Sequence, residues 1–381
     1  LSMEQYFATV GRGLEAIAAA ELSQLGAQGV EPGFCGVAFQ GDRPLLYRVN
    51  LWARIPFRIL WQIHTFARGA GQGLDGKQLY GEIQTVDWSR YLSPDQTFAV
   101  RATGGNDRLN HTHYTALQVK NAIVDQQRQQ FGQRSSVDLE TPDLAVNLHI
   151  DKAGAVLSLD SSGASLHRRG YRPAMGAAPL KETLAAALID MTDWQPSLAF
   201  FDPLCGSGTL PIEAALKSLR VAPGIFQRSF GFQQWQDFDA DLWDGLVRSA
   251  ENQEQSQLPG LVVGSDRDGQ VLRLARHNAQ HCGIGEDIQL LQQDFSQIEP
   301  PADQGVILCN PPYGERLGAQ ADLGAFYKQM GDVFKQRFKN WTAYVLCGNL
   351  QLAKGIGLRS AQRLVVYNGN LECRLLKFEL Y

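Results

Sequence analysis

The stretch LAFFDPLCGSGT, Leu198 to Thr209, decides the fold. An apolar run ends in a carboxylate, Asp202, and passes at once into a glycine-rich turn, Pro203 to Thr209, beyond which a helix is expected. That succession suits the first strand, turn and helix of a doubly wound parallel sheet, where ligands lie beyond the carboxyl ends of the strands. Gly206 and Gly208 allow a ligand to approach the backbone closely, and the helix start offers free N–H groups to an anionic group. The turn is not a P-loop, because no GK[ST] follows. Nor does it suit a dinucleotide: a third glycine is missing, and the next strand-end acid, Asp266, lies 64 residues on instead of roughly 20.

Three more apolar runs end in polar groups. LVVGSD closes on Asp266 and precedes a helix expected over Gly269 to His281; IQLLQQD closes on Asp294; GVILCN closes on Asn310. A single strand-end Asp is more simply a helix N-cap. In this order, however, Asp202, Asp266, Asp294 and Asn310 would line one crevice. There a strand-end carboxylate accepts both hydroxyls of a ribose, and another accepts from an exocyclic amine. Asn310 opens NPPYGERLG, Asn310 to Gly318. Pro-Pro can neither extend a strand nor enter a helix interior, so the chain turns sharply there. Taken alone, NPPY is either a proline-capped strand end or a rigid platform for Asn310 and Tyr313. Glu315 and Arg316 either shape a base pocket or pair with each other on the surface.

Working outward, 381 residues imply two or three domains, and 44% hydrophobic with 19% charged residues excludes a mainly disordered chain. No run approaches the roughly 20 apolar residues of a membrane span, and the N-terminus has no signal-peptide pattern. Leu1 and Ser2 read as residues ahead of a native Met3. Cysteines 35, 205, 282, 309, 347 and 373 form no CxxC or Cys/His cluster, so reduced thiols, no metal site and a cytoplasmic location are expected.

The front half reads as mixed α/β. Strands are expected at 5–10, 36–40 and 97–102, and helices at 14–25, 43–54 and 112–131. A hairpin is expected at 144–150 and 153–160 across DKAG. The glycine-rich stretch 68–76 suggests a linker or mobile loop. The net charge is −4, yet basic residues cluster: five arginines with interleaved aromatics lie between Arg43 and Arg68, and Arg168, Arg169, Arg172 and Lys181 lie near a junction at 161–180. Such patches either track phosphates or form a solvated face.

GRGLEAIAAAEL, HRRGYR, APLKETLAAALI, DPLCGSGTLPIEAA and NPPYGERLG, in this order, resemble the THUMP-domain class I S-adenosylmethionine (AdoMet) RNA methyltransferases. Within them, the chain is most similar to the N-terminal half of the RlmL-like enzymes that act on guanine N2 of large-subunit ribosomal RNA. The resemblance spans Met3 to Tyr381. It implies a ferredoxin-like subdomain at 3–68, a THUMP domain at 69–160 that could begin near 45, a linker at 161–180, and a Rossmann-like methyltransferase domain at 181–381. It places AdoMet on Asp202, Gly206, Gly208, Asp266 and Asp294, with Glu182 and Thr183 at the methionine end, and the target amine on Asn310, Pro311, Pro312 and Tyr313. Arg168, Arg169 and Arg172 are expected on RNA phosphates.

NPPY fits that chemistry. The lone pair of an exocyclic base amine is delocalised into the ring, so the nitrogen must pyramidalise before it attacks a methyl group. An Asn oxygen and a Pro carbonyl can accept its two hydrogens, while Tyr313 stacks on the extruded base. Structured RNA is the expected partner, as ribosomal RNA, a pre-ribosomal particle or transfer RNA. The modified nucleotide, the proton acceptor and the oligomeric state stay open. Other readings are DNA adenine or protein glutamine methylation, a non-catalytic RNA-binding assembly factor, and, more remotely, a dehydrogenase.

Overall fold

In the computed structural model, residues 3–67, 74–152, 154–172, 180–227, 229–313 and 320–381 are described. The chain runs β1 (Glu4–Thr9), α1 (Glu15–Gln24), β2 (Gln28–Gly33), β3 (Gly36–Gly41), α2 (Arg43–Trp52) and β4 (Arg58–Ala67). It continues through α3 (Gly76–Gln84), β5 (Thr97–Gly104), α4 (Thr112–Phe131), β6 (Ser136–Val137), β7 (Leu144–Ile150) and β8 (Gly154–Asp160). These strands make one sheet, ordered β2-β3-β1-β4-β8-β7-β5-β6. Its seam is β4, antiparallel to β1 on one side and to β8 on the other. The two units expected in the front half therefore share backbone hydrogen bonds. Of the glycine-rich stretch between them, residues 68–73 lie outside the described residues.

Local chemistry accounts for the helix starts. Asp42 accepts from Leu45 N (3.0 Å) with a proline in the first turn of α2, and Asp75 and Gln78 form a capping box at α3. Helix α4 stops at Gly132, whose φ of +68° is the left-handed geometry of a helix C-terminus. Helix α2 ends at Trp52, earlier than expected, because Ala53 turns extended (ψ 129°).

The second half contains α5 (Glu182–Asp190), β9 (Ala199–Asp202), α6 (Thr209–Ser218), α7 (Ala240–Glu251), β10 (Val262–Asp266), α8 (Gly269–His281) and β11 (Gln289–Gln292). After these come β12 (Gly305–Cys309), α9 (Gln320–Arg337), β13 (Trp341–Cys347), α10 (Leu350–Gly355), β14 (Gln362–Asn368) and β15 (Leu371–Glu379). The sheet order is β11-β10-β9-β12-β13-β15-β14. The first five strands are parallel, and β15 runs antiparallel to both its neighbours. Alternate residues face opposite cores: Phe200, Val306 and Leu308 one way, Ala199, Phe201, Ile307 and Cys309 the other. At the centre of the sheet, burial on both faces explains the unbroken apolar runs of β9 and β12. Strand order reverses between β9 and β12, and their carboxyl ends carry Asp202 and Asn310. The crevice of this Rossmann-like sheet therefore opens between those two residues.

The two halves pack directly. Tyr47 of α2 stacks on Phe232 (4.3 Å between centroids), and its hydroxyl accepts from Asp239 N (3.1 Å). At Gly224 a Cβ would come within 2.8 Å of the Leu51 backbone, so only glycine permits that approach. Among the described residues, no helix is long and apolar enough to cross a membrane, no group of three or more His, Cys, Asp or Glu could hold a metal ion, and all six cysteines are free thiols.

Candidate active site

The turn after β9 makes a backbone cradle. Gly206 (φ +53°) and Gly208 (φ +84°) hold left-handed conformations natural to glycine. Over Gly206 an added Cβ would meet only Val271, at 3.9 Å, so the ground above the turn is open. Over Gly208 it would press on Ala275 at 3.1 Å, so this glycine lets α8 close onto the turn. Asp266 locks the cradle from the next strand: one carboxylate oxygen accepts from Gly206 N (3.1 Å) and the other from Asp268 N (3.0 Å). Asp202 is buried, accepting from Leu204 N (3.0 Å). Burial, and then the charge of Asp266, push its carboxyl well above the usual carboxylate range. A buried acid with no ion pair among the described residues suits a positively charged ligand.

Asp294 lies two residues past β11 and is exposed. It caps the turn at 295–297, accepting from Ser296 N (2.9 Å) and Ser296 Oγ (2.6 Å), and these bonds hold its carboxyl below the ordinary range.

Asn310 follows β12 directly, and its Oδ1 is buried with no hydrogen-bond partner among the described residues. An unsatisfied buried carboxamide oxygen costs about 1–3 kcal/mol, which points to a donor arriving with a ligand. The Pro312 carbonyl is already engaged, accepting from Tyr327 Oη of α9 (3.2 Å). Among the described residues no hydrogen bond reaches the Pro311 carbonyl, so that is the one open to an amine. Tyr313 is half-buried; its hydroxyl accepts from Asn368 Nδ2 (2.8 Å), and burial raises its pKa. Residues 314–319, including Glu315 and Arg316, lie outside the described residues.

Helix α5 packs against α6. Lys217 pairs with Asp190, joining the last turns of α6 and α5. Glu182 is buried against Arg172 (Oε1–Nη1 3.0 Å), and its pKa is raised by burial despite that partner. Thr183 Oγ1 is buried with no partner among the described residues.

The three junction arginines part company. Arg168 is exposed. Arg169 is 2% exposed and faces inward: Nε and Nη2 reach the two Glu213 oxygens (3.3 and 3.4 Å), and Nη2 donates to Arg54 O (2.6 Å). Arg172 is tied to Glu182 and donates to Leu180 O (3.0 Å). Phosphate contact by all three is therefore narrowed to Arg168, because a guanidinium enclosed with a carboxylate cannot also reach a polyanion in solvent. Sequence reasoning missed Glu213, Tyr327 and Asn368. Only Asn368 carried a signal, the NGN of a tight hairpin.

Family models match three segments: an RlmL ferredoxin-like domain at 5–60, a THUMP domain at 75–160, and an RMKL-like methyltransferase domain at 169–377, more than half of the chain. The chain belongs to the RMKL-like methyltransferase family. Within it, the chain is 56% identical over 376 residues to a provisionally named RNA methyltransferase of Synechocystis sp., covering 99% of this chain and 97% of that one. It is 41% identical over 387 residues to the ribosomal RNA large subunit methyltransferase K/L of Syntrophotalea carbinolica, covering 99% of this chain but 53% of that relative. The chain thus spans nearly all of the first and about half of the second. A crystal structure of a provisionally assigned methyltransferase complexed with SAH superposes with a TM-score of 0.89 at 30% identity, covering 100% of this chain and 99% of that one. The RMKL-like match sets aside the dehydrogenase reading and gives the β9 turn and NPPY one shared frame.

Proposed function

We propose that this chain transfers the methyl group of AdoMet to the exocyclic N2 of a guanosine in 23S ribosomal RNA. The observation that carries the reading is the Oδ1 of Asn310, buried and without a hydrogen-bond partner among the described residues, at the switch point of the sheet where the glycine cradle also lies. The names of the K/L relatives support the RNA class, and the THUMP match supports a structured RNA. The SAH of the superposing structure supports the cofactor.

The residues fit AdoMet. Asp266, already holding Gly206 N, presents its remaining acceptor capacity to the ribose hydroxyls. Asp294 stands at the next strand end for the adenine amine, and the open ground over Gly206 admits the ligand. Asp202, Glu182 and Thr183 serve the methionine end, where a buried carboxyl and a hydroxyl without a partner among the described residues answer an ammonium and a carboxylate. AdoMet supplies an electrophilic methyl group on a sulfonium.

Asn310 Oδ1 and the Pro311 carbonyl accept the two N–H bonds of the guanine amine and draw its lone pair out of conjugation. Tyr313 offers a stacking face to the extruded base. Proline rigidity keeps both acceptors in place before the base arrives, and a pre-organised partner of this kind is worth on the order of 10²–10³ in rate. The methylated amine then sheds one proton. Asn310, an amide, does not hold it, so it leaves to solvent or to a base outside NPPY. Arg168 meets a phosphate at the junction. Free thiols throughout fit a cytoplasmic setting.

Labelled AdoMet incubated with ribosomal and transfer RNA, followed by nucleoside analysis, tests this. N2-methylguanosine should form in ribosomal RNA, and Asn310→Ala should remove it while AdoMet affinity stays unchanged. N6-methyladenosine, or equal labelling by the variant, would overturn the mechanism; label confined to transfer RNA would overturn the substrate.

A further inference from the structure

We propose that Asn368 is the positioning residue of Tyr313, so that the β14–β15 hairpin sets the stacking face presented to the target base; this rests on the function proposed above. The hairpin is built to reach the crevice. The last pair between β13 and β15 is Cys347 with Arg374, yet β15 begins at Leu371. Three residues therefore project past the carboxyl edge of the sheet, about 10 Å at the usual strand rise. The tip is stiff. Asn368 pairs with Leu371 across a two-residue loop, in which Gly369 takes the positive φ (+64°) that tight hairpins require.

From that tip, Asn368 Nδ2 donates to Tyr313 Oη at 2.8 Å. The ring is also pressed from below: a Cβ on Gly348 would come 2.9 Å from Tyr313 Cδ2, so the ring lies against bare backbone after β13. One end of the tyrosine is thus held by NPPY, its flank by Gly348 and its hydroxyl by Asn368. A phenol free to swing would offer a moving platform, and misplacement of about 1 Å can cost on the order of 10² in rate. The hairpin is itself braced by the front half of the chain. Arg12 lies over the Tyr367 ring (4.3 Å), and a Cβ at Gly13 would come 3.1 Å from the Val365 carbonyl. The residue that steadies the stacking face is therefore next in sequence to one held by the ferredoxin-like unit.

The test is a cycle of Asn368→Ala, Tyr313→Phe and the double variant. It is read by single-turnover methyl transfer at saturating RNA, with AdoMet affinity measured alongside. Each single variant should slow transfer about tenfold, the scale of one hydrogen bond, with AdoMet affinity unchanged. The double should be no slower than Tyr313→Phe, which already removes the Asn368 bond together with the hydroxyl's contact to Asn310. Asn368→Asp should recover most of the rate, its carboxylate now accepting from the phenol. Losses that multiply in the double variant would overturn the proposal. A second arm needs no substrate: in protein labelled with 3-fluorotyrosine, the fluorine resonance that disappears in Tyr313→Phe should shift or broaden in Asn368→Ala. An unmoved resonance overturns the tether whatever the rates. A moved resonance in a wild-type protein that labels no RNA supports the tether and sinks the functional reading instead.

Discussion

Arg168 and Arg169 are neighbours in sequence, and replacing each with alanine should have opposite consequences. Arg169 and Glu213 are enclosed, with side chains 2% and 0% exposed. Truncating Arg169 leaves Glu213 with the Tyr171 hydroxyl at 2.8 Å and with Arg54 only at 3.8 Å. Removing one partner of a buried pair costs about 3–5 kcal/mol, and the residual Arg54 places this site at the lower end, about 3 kcal/mol. Against a typical total of about 5–15 kcal/mol, that is a large share. In urea unfolding followed by tryptophan fluorescence, the midpoint should fall by about 1 M for a slope of about 3 kcal/mol/M. The salt dependence of RNA binding should not change below that transition. Arg168→Ala should leave the midpoint in place, within about 0.5 kcal/mol, and lower the logarithmic salt slope by about 0.7–0.9, one phosphate contact. An Arg169→Ala protein that loses less than about 1 kcal/mol, or a slope that falls for Arg169 and not for Arg168, would refute the division of roles.

Two further outcomes concern protons. Asp202 is held above the ordinary carboxylate range by burial and then by Asp266, so a cationic ligand beside it should favour its charged form and lower its pKa on binding. AdoMet binding should therefore release protons and tighten as pH rises; calorimetry in two buffers of different ionisation enthalpy measures the release, Asp202→Asn should abolish it, and buffer-independent heats in the wild type would contradict the assignment. His167 is pushed from 6.5 to about 4 by burial and then by Lys181, Arg168, Arg169 and Arg58. The unfolded chain thus binds the proton first, and the contribution is full above pH 6.5 and lost as pH falls through about 4. His167→Gln should flatten the urea midpoint across that window.

The β9 turn was legible because its chemistry is local. Asp202 ends a strand, two glycines take left-handed geometry, and a helix follows, all within a dozen residues. The parallel sheet followed from four runs that alternate with helices and each end in a carboxylate or amide. Asp294 was harder: its cap and its expected ligand role call for the same residue at nearly the same place. The arginines misled for a definite reason. A junction segment without helix or strand periodicity carries no sign of which way a side chain points, and a run without acids looks solvated. The Arg169 partners lie 44 and 115 residues away in sequence, beyond any local pattern. The edge hairpin was announced by NGN, but its contact with Tyr313 spans 55 residues.

Glu213 explains why such distant partners converge. It sits in α6, whose first turn begins at the glycine turn after β9, and it receives Arg54 from the ferredoxin-like unit and Arg169 and Tyr171 from the junction. Arg54 also donates to the Val221 carbonyl just past that helix (2.6 Å). One rigid helix therefore carries the cradle at its start and the interdomain joint along its length. On the function proposed above, RNA bound by the front half would be referenced to the helix that follows the glycine turn, and the same front half packs on the hairpin whose Asn368 reaches Tyr313. A buried ionic joint is weak evidence for stability, but it is strict about geometry, because its members tolerate few other arrangements. Replacing it by apolar residues could preserve the fold and still lose the register between RNA and methyl donor. An Arg54→Met, Arg169→Met, Glu213→Leu triple variant that remained folded would therefore be expected to keep AdoMet affinity and lose methyl transfer to RNA.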